Sequence, residues 1–328
     1  MQAIIYTRYG APDVLQLNEV EKPLPSDNRV LVKVHAASLN ALDWHTMRGS
    51  PYFARLLGMG LRKPKSQRLG VDLAGRVEAV GSKVTQFQVG DDVFGRGPGA
   101  FAEYACPLET SIVVKPANIT FEAAAAVPVA AITALQGLRD KGQIQPGQQV
   151  LIYGASGGVG TFAVQLAKAF GAEVTAVSST RNMEMVRSLG ADHAIDYTKE
   201  DFTKNGQRYD LILAVNGYRP ILAYRRALSA TGRYVMVGSS NLLKGLLQAM
   251  LLGPMISSRK GKKLGFMGEA NPTQKDLLYL KDLLEAGKIV PVIDKSYPLS
   301  ATAEAIRYLE EGHARGKVVI TMDQNGHS

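Results

Sequence analysis

Hydrophobic and polar positions change their spacing along the chain. Residues 1 to about 118 form short segments in which apolar and polar side chains alternate, such as RVLVKVHAASLN at 29–40, separated by glycine- and proline-rich turns. This alternation predicts half-buried β-strands. From Gln148 onward, continuous apolar runs such as QQVLIYGA alternate with stretches of helical length. Buried strands that alternate with helices predict a parallel sheet covered on both faces.

The junction between the two patterns is predicted to be helical. Asn118 or Thr120 is a candidate N-cap for the alanine-rich stretch that follows, which Pro128 kinks or divides. Beyond the parallel sheet, whose last strand is expected near 263–268, a helix is predicted from about Thr273 to Ala286.

The C-terminal tail again has the residue pattern of β-strands, so we expect it to complete the first domain. The predicted organisation is therefore a β-rich domain of residues 1–120 and 270–328, and a doubly wound α/β domain of residues 121–269.

Composition narrows the class of protein. The 328 residues include one cysteine, which excludes a disulfide scaffold and a cysteine-rich structural zinc site and fits a reducing compartment, for which we expect the cytoplasm. The N-terminal stretch lacks the blocks of a signal peptide. The most apolar stretch, 242–256, is too short and too interrupted for a membrane span of about 20 residues. No membrane span is therefore expected.

The formal net charge is +9, with 38 Lys and Arg against 29 Asp and Glu. These basic residues are scattered, apart from a cluster at 259–263, so we expect no nucleic-acid partner. The positive excess suits an anionic small ligand instead.

The strongest local motif is GASGGVG at 154–160, between a predicted strand and a predicted helix. Small residues permit a tight turn that brings backbone N–H groups and the positive end of the helix to a pyrophosphate. In this strand–turn–helix setting the motif predicts dinucleotide binding. The residues expected to hold the cofactor here are Ala155, Ser156, Gly157, Gly158 and Val159.

The end of the next strand indicates which dinucleotide is bound. An NAD site usually has an acidic residue about 20 residues beyond the glycine turn, where this chain has Ser178, Ser179, Thr180 and Arg181. Hydroxyl groups and a guanidinium suit a 2′-phosphate, so the predicted cofactor is NADPH. The alternative is that Arg181 is only a solvated residue at a helix start.

Several motifs together resemble the medium-chain dehydrogenase/reductase superfamily. They are SLNALD, GVDLAGRVEAVG, GAFAEY, AAITALQGL, IDY followed by EDF, and GHARGKVV, and they span nearly the whole length. The chain is most similar to the quinone oxidoreductase branch that does without zinc, in its reticulon-interacting-protein-like group. The resemblance implies a GroES-like catalytic domain beside the Rossmann domain, and a homodimer through the Rossmann edge strand.

The residues at the metal positions of zinc-dependent members differ in this chain. Those members carry a Cys where this chain has Asn40, a His–Glu pair where it has Val71 and Asp72, and a further Cys or acid near Val129. A catalytic zinc needs three ligands of the Cys, His or carboxylate type. We therefore expect no metal, and acceptors that are already electron-poor.

The resemblance also implies two catalytic residues. Asn40 stands where relatives place an amide facing the nicotinamide and the substrate oxygen, so it is expected both to bind the cofactor and to stabilise a developing enolate or hydroquinone anion. The alternative for Asn40 is a turn residue bonded to the backbone. Tyr52 is expected to line the pocket and to bond or protonate the acceptor, or else only to pack in its wall.

Further cofactor contacts are implied by the same resemblance. Lys317 either bonds the cofactor or closes its domain. The other expected contacts are Thr133, Tyr197, Val237, Gly238 and Ser239.

The function predicted on this basis is hydride transfer from NADPH to a quinone or activated enone that is lipophilic. The alternatives are an enoyl-thioester reductase and a non-enzymatic NADPH-binding interaction protein. Two apolar and basic segments, 50–66 and 241–263, are expected to form a lid, with a dimer interface or a membrane surface as alternatives for the second.

Overall fold

The computed structural model describes residues 1–52, 55–239, 241–258 and 261–322. The chain forms two compact units. Unit 1 comprises Met1–Val129, Pro272–Ala286 and the chain from Pro291 onward, and unit 2 comprises Ala130–Asn271 and Gly287–Val290. The unit boundary therefore lies after Val129, not after residue 120 as expected from the sequence.

The elements of the first part of the chain are mostly strands. In order they are β1 (Gln2–Ile5), β2 (Gln16–Glu19), β3 (Val30–Ser38), α1 (Ala41–Arg48), β4 (Asp72–Val80), β5 (Asp92–Arg96), β6 (Tyr104–Ala105), β7 (Ile112–Val114) and α2 (Phe121–Ala125). Strand and helix alternate in the middle of the chain, in α3 (Pro128–Gln136), β8 (Gln149–Tyr153), α4 (Gly158–Ala169), β9 (Glu173–Ser178), α5 (Met183–Ser188), β10 (His193–Asp196), β11 (Tyr209–Ala214), α6 (Ile221–Ala227), β12 (Leu228–Met236), α7 (Leu242–Leu247), α8 (Gly253–Ile256) and β13 (Lys263–Phe266). The last elements are α9 (Gln274–Glu285), β14 (Ile293–Pro298), α10 (Thr302–Glu310) and β15 (Lys317–Thr321).

Helix α2 explains why unit 1 extends beyond residue 120. The Thr120 side chain accepts a hydrogen bond from the Ala123 N–H at 3.2 Å, which caps the helix as predicted. The Phe121 ring stacks on His35 of β3, with the ring centroids 4.3 Å apart. This helix therefore packs on the β-sheet of unit 1, and the next helix starts at Pro128.

The main sheet of unit 1 has the strand order β14-β15-β3-β4-β5-β7, with β6 also paired to β3. Strand β15 pairs antiparallel with β3 and parallel with β14. The C-terminal strand thus lies inside this sheet, which brings residues far apart in sequence side by side. A buried core that includes Val32, Phe94 and Phe101 fills the unit.

Unit 2 contains a parallel six-stranded sheet with the order β10-β9-β8-β11-β12-β13. The predicted doubly wound parallel sheet is confirmed. The chain order reverses at β8, whose neighbours are β9 and β11, and ligands of such sheets bind at the carboxyl ends of the strands at that point. Most of α4 is buried, from Gly160 to Ala167.

We expect the core of unit 1 to be sensitive to loss of aromatic volume. Phe94 on β5 is fully buried, so Phe94→Ala should lower the free energy of unfolding by about 3–5 kcal/mol, because it removes apolar contact and leaves a cavity. Denaturant unfolding followed by circular dichroism measures this change. Leu24→Ala is the control, since Leu24 is 87% exposed and should shift stability by less than about 0.5 kcal/mol. Equal losses for the two variants would contradict the assigned core.

Candidate functional site

The turn after β8 requires glycine at two positions. Gly154 has a φ of +85°, and a Cβ there would lie 2.8 Å from the backbone N and O of Asn216, which follows β11. A Cβ on Gly160 would lie 2.1 Å from the Gly154 carbonyl oxygen. These two glycines let the turn pass close to the end of β11 and let α4 pack closely on the turn.

The turn presents the start of α4 at the carboxyl edge of the sheet. Gly157 is the N-cap residue, and the helix begins at Gly158. The first N–H groups of a helix have no partner within it, and the helix dipole adds positive potential there. Ser156, Gly158 and Val159 are partly exposed. The turn therefore has the shape and polarity that a pyrophosphate needs.

A cluster of hydroxyl groups lies beside this turn. Ser178 at the end of β9 is buried, and its Oγ donates to the Ser156 Oγ at 2.8 Å. Asn182 donates from Nδ2 to the Ser156 Oγ at 3.0 Å and to the Ser179 Oγ at 3.2 Å. Ser178 thus stabilises the glycine turn through its bond to Ser156. Ser179 is half-buried, and Arg181 is exposed.

Asn182 is a residue of this site that sequence reasoning missed. Its side chain is 4% exposed, and within the described part of the chain its Oδ1 has no hydrogen-bond partner. A buried polar atom left unpaired is costly, so it requires an explanation such as a contact with a ligand or a water molecule. The available signal was an asparagine directly after the Ser-Ser-Thr-Arg stretch, at the start of α5.

An acidic residue lies at the end of the neighbouring strand β10. Asp196 accepts hydrogen bonds from the side chains of Thr180 and Thr198, and these lower its pKa to about 2. The next residue, Tyr197, donates its backbone N–H to the Ser178 carbonyl at 3.0 Å, and its side chain is exposed. The structure therefore places Tyr197 next to the hydroxyl cluster.

The remaining residues predicted for the cofactor in unit 2 are less closely grouped. Val237 and Gly238 follow β12, and both donate backbone N–H groups to the Ala214 carbonyl, at 2.8 and 3.2 Å. The Ser239 Oγ donates to the Asn241 carbonyl at 3.2 Å. Thr133 is half-buried on α3. The three residues after β12 thus lie at the carboxyl edge of the sheet, where a dinucleotide binds in this architecture.

Unit 1 contains a buried polar network around Lys317. Its side chain is 3% exposed, and its Nζ donates to Asn40 Oδ1 at 2.6 Å and to the Leu39 carbonyl at 2.8 Å. Asp72 Oδ2 lies 3.7 Å from the same Nζ. Burial lowers the pKa of Lys317, and the negative charge of Asp72 opposes that shift.

Asp72 connects the other members of this network. The carboxylate is fully buried, and its Oδ2 accepts from Asn40 Nδ2 at 2.9 Å and from the Ser38 Oγ at 3.1 Å. Its Oδ1 accepts from the Val129 N–H at 3.1 Å. Burial raises the pKa of Asp72, and Lys317 is the largest opposing influence. Every oxygen of this carboxylate is therefore hydrogen-bonded.

The Asn40 side chain is held at both ends. Its Oδ1 faces the Lys317 ammonium, and its Nδ2 faces Asp72, with the Ser38 carbonyl at a longer 3.4 Å. The amide is only 8% exposed. Asn40 is also the N-cap residue of α1, in a capping box with Asp43. The structure thus shows the turn role that was the alternative for Asn40, while its contact with the nicotinamide and the substrate oxygen stays a prediction.

Asp43 supports the same corner. Its Oδ2 accepts from the Asn40 N–H at 2.7 Å, and burial raises the pKa of this carboxyl to about 7. Asp72 raises that pKa further, whereas the backbone bond from Asn40 lowers it. Asp43 therefore has a structural position at this corner.

The donor set of this network is unsuited to a catalytic zinc. Asn40, Asp72 and Val129, three of the positions that bear ligands in zinc-dependent members, meet here as an amide, a carboxylate and a backbone N–H. The Lys317 ammonium brings a positive charge among them. In the described ranges of the chain, no group of three His, Cys, Asp or Glu side chains could hold a metal ion.

Tyr52 lies at the surface of unit 1 in the structure. Its side chain is 77% exposed, and the Arg55 guanidinium lies over its ring, 4.6 Å from the centroid. Arg55 also lies over the Tyr9 ring at 4.2 Å, and the Tyr9 hydroxyl donates to the carbonyls of Met59 and Gly60. These contacts fix part of the 50–66 segment to unit 1. Residues 53 and 54 of that segment lie outside the described residues, as do Arg259 and Lys260 of the 241–263 segment.

Two parts of the chain match known protein families. Residues 26–117 match the alcohol dehydrogenase GroES-like domain, and residues 189–320 match a family described as zinc-binding dehydrogenase. The 2-methylene-furan-3-one reductase of Solanum lycopersicum is 37% identical over 337 residues, which cover 98% of this chain and 79% of that protein. The mitochondrial NAD(P)H oxidoreductase RTN4IP1 of Bos taurus is 35% identical over 359 residues, covering 98% and 89%.

A solved structure gives the same result. The quinone oxidoreductase from Coxiella burnetii superposes with a TM-score of 0.85 at 32% identity, covering 98% of this chain and 99% of that one. The similarity therefore extends through both units.

We expect substitutions of Lys317 and Asp72 to have strongly non-additive effects on the free energy of unfolding. Lys317→Met removes the cation and leaves the Asp72 charge buried without compensation, so it should lower the free energy of unfolding by about 3–5 kcal/mol. The double variant Asp72→Asn/Lys317→Met removes both charges and should recover part of that loss. A double-mutant cycle from urea unfolding measures the coupling. Additive losses in the cycle would show that the two charges do not interact.

Proposed function

Because this chain belongs to the medium-chain dehydrogenase/reductase superfamily, we propose that it transfers a hydride from NADPH to a lipophilic quinone or α,β-unsaturated carbonyl. The observation that carries this proposal is the network of Lys317, Asn40 and Asp72 at the metal positions of the superfamily. The Solanum relative is named a reductase of a methylene-furanone, an enone, and the Coxiella structure is named a quinone oxidoreductase. Both names fit acceptors that need no Lewis acid.

The residues of unit 2 fit an NADPH cofactor. The glycine turn and the start of α4 would hold the pyrophosphate, and Ser179 with Arg181 would hold the 2′-phosphate. Ser178 and Asn182 would act indirectly, by fixing Ser156 and Ser179. Bound NADPH supplies the hydride that reduces the acceptor.

In unit 1, Asn40 would stabilise the negative charge that develops on the acceptor oxygen. Lys317 holds its Oδ1, so the amide is oriented with both Nδ2 hydrogens away from the ammonium. One of these bonds Asp72 at 2.9 Å, while among the described residues the other has only the long contact with the Ser38 carbonyl at 3.4 Å. We propose that this second hydrogen is donated to the acceptor oxygen, and that the buried cation behind the amide makes it a stronger donor.

Four further features belong to this proposal. The enzyme works without zinc, because a metal ion at this network would add a second positive charge beside Lys317. One matched family is nevertheless described as zinc-binding. The enzyme forms a homodimer through β13, which lies at the edge of the parallel sheet. It is cytoplasmic, as the single cysteine suggests, whereas the Bos taurus relative is named mitochondrial. Tyr52 is proposed as a pocket residue that contacts the acceptor.

An acceptor panel tests the reaction. NADPH oxidation, followed by its nicotinamide absorbance, should occur with quinones or enones and should be undiminished by a zinc chelator. Asn40→Ala should lower kcat by about 10²–10³, the range found for loss of one donor to a developing oxyanion. Activity confined to coenzyme A or carrier-protein thioesters would identify an enoyl-thioester reductase instead. Tight NADPH binding without turnover on any acceptor would favour the interaction protein.

Cofactor choice is expected to depend on Arg181. Arg181→Glu should raise the KM for NADPH by about tenfold or more while leaving the KM for NADH nearly unchanged, because only NADPH carries the 2′-phosphate. Arg187→Glu is the matched control, an exposed arginine of α5 that should leave the NADPH-to-NADH ratio unaltered. Steady-state kinetics with both nucleotides measure the ratio. An equal effect on the two cofactors would assign Arg181 to the helix start alone.

A further inference from the structure

The basic residues of this chain are scattered, but acidic residues are absent from one stretch of sequence, and the net positive charge arises there. From residue 211 to residue 268 there is no Asp or Glu, although nine basic residues occur there. They are Arg219, Arg225, Arg226, Arg233, Lys244, Arg259, Lys260, Lys262 and Lys263. The other 29 Lys and Arg are matched by 29 Asp and Glu, so the formal excess of +9 comes from this stretch alone.

The same stretch contains a run of exposed apolar side chains. Helix α7, a turn of π-helix at Gln248–Leu252 and α8 follow one another from 242 to 256. Five large side chains of this run are 44–79% exposed, and we name them the apolar ridge: Leu247, Met250, Leu251, Leu252 and Met255. Three of them, at 247, 251 and 255, are spaced four residues apart, which places them on one face of a helical segment.

The opposite face of this segment is anchored to unit 2. Ala249 is buried in the core beside the parallel sheet. The Gln248 Oε1 accepts from the Ile221 N–H at 2.8 Å, and the Ser257 Oγ accepts from the Leu264 N–H at 2.9 Å. The ridge is therefore the outer face of a folded element, and its exposure does not come from a detached loop.

Basic groups gather near the end of the segment. Lys262 donates from Nζ to the Arg225 carbonyl at 2.8 Å. Burial lowers the pKa of Lys262, and the neighbouring charges of Arg225 and Arg208 lower it further. Like charges held close together repel one another, and an anionic surface would relieve that repulsion.

We propose that the apolar ridge and the basic residues around it dock this protein on the surface of a bilayer that contains anionic lipids. Apolar side chains enter the boundary between headgroups and acyl chains, while lysines and arginines remain at the anionic headgroups. The proposed contact is peripheral. In the described ranges, no helix is long and apolar enough to cross a membrane. This role goes beyond the proposed reduction and would bring the enzyme to acceptors dissolved in the bilayer.

The observations favour a bilayer over two other occupants. A second copy that used the ridge, and not the proposed dimer strand β13, would bring two positive patches together, which costs energy. A nucleic acid would satisfy the basic residues but would leave five large apolar side chains exposed.

Vesicle flotation with the full chain, in the absence of NADPH and acceptor, tests the proposal separately from the enzymatic activity. The vesicles are pure phosphatidylcholine, or phosphatidylcholine with phosphatidylglycerol, at low and high salt. The wild type should float with the anionic vesicles at low salt, and high salt should weaken the binding. Met250→Ser/Leu251→Ser/Met255→Ser should reduce the partition coefficient by at least about tenfold. Arg226→Gln and Lys244→Gln, at exposed residues outside β13, should each reduce it by about fivefold.

Matched variants and one further measurement complete the test. The double variant Leu24→Ser/Val89→Ser removes exposed apolar side chains of unit 1. The double variant Lys275→Gln/Lys288→Gln removes two exposed charges. Neither variant should change the binding to vesicles. Circular dichroism confirms that each variant is folded. Absence of flotation for the wild type, or unchanged flotation of the ridge variant, would overturn the proposal. A wild-type dimer that the ridge substitutions dissociate, seen by sedimentation, would instead assign the ridge to a contact between copies.

Discussion

The burial of one ammonium group beside one carboxylate determines how the site of unit 1 is built. Lys317 and Asp72 lie in the interior with their charged atoms 3.7 Å apart, and removing such groups from water costs several kcal/mol for each ion. That cost is offset only if the remaining donors and acceptors are satisfied. The Leu39 carbonyl, Asn40, Ser38 and the Val129 N–H supply the necessary hydrogen bonds. The orientation of the Asn40 amide follows from this requirement.

Much of the fold could be predicted from the sequence because its signals are local. The glycine turn, the buried strands of the parallel sheet and the cap at Thr120 each depend on neighbouring residues, and the structure contains all three. The unit boundary was less predictable, since α2 belongs to unit 1 through the packing of Phe121 on His35. That contact joins residues 86 positions apart, and no local pattern encodes it.

The residues of the candidate sites were also only partly predictable from local sequence. The sequence pointed to Asn40, Asp72 and Lys317 separately, but only the pairing of β15 with β3 brings Lys317 to the other two. Besides the family resemblance, a lysine at the start of the apolar strand KVVIT was a signal for this position. Asn182 was missed because its contacts with Ser156 and Ser179 depend on how β9 passes the glycine turn. Side-chain partners across a sheet edge require the tertiary arrangement.

The position of β15 also has a consequence for the order in which the chain folds during synthesis. Unit 2 ends at Val290, so its strands and helices leave the ribosome before Lys317 does. Until that lysine emerges, the nascent unit 1 lacks the strand that pairs with β3 and the cation that compensates Asp72. Unit 1 therefore begins first and is completed last. After Val129 has been made, about 190 further residues must be translated before the N-terminal part of unit 1 can pair with β15.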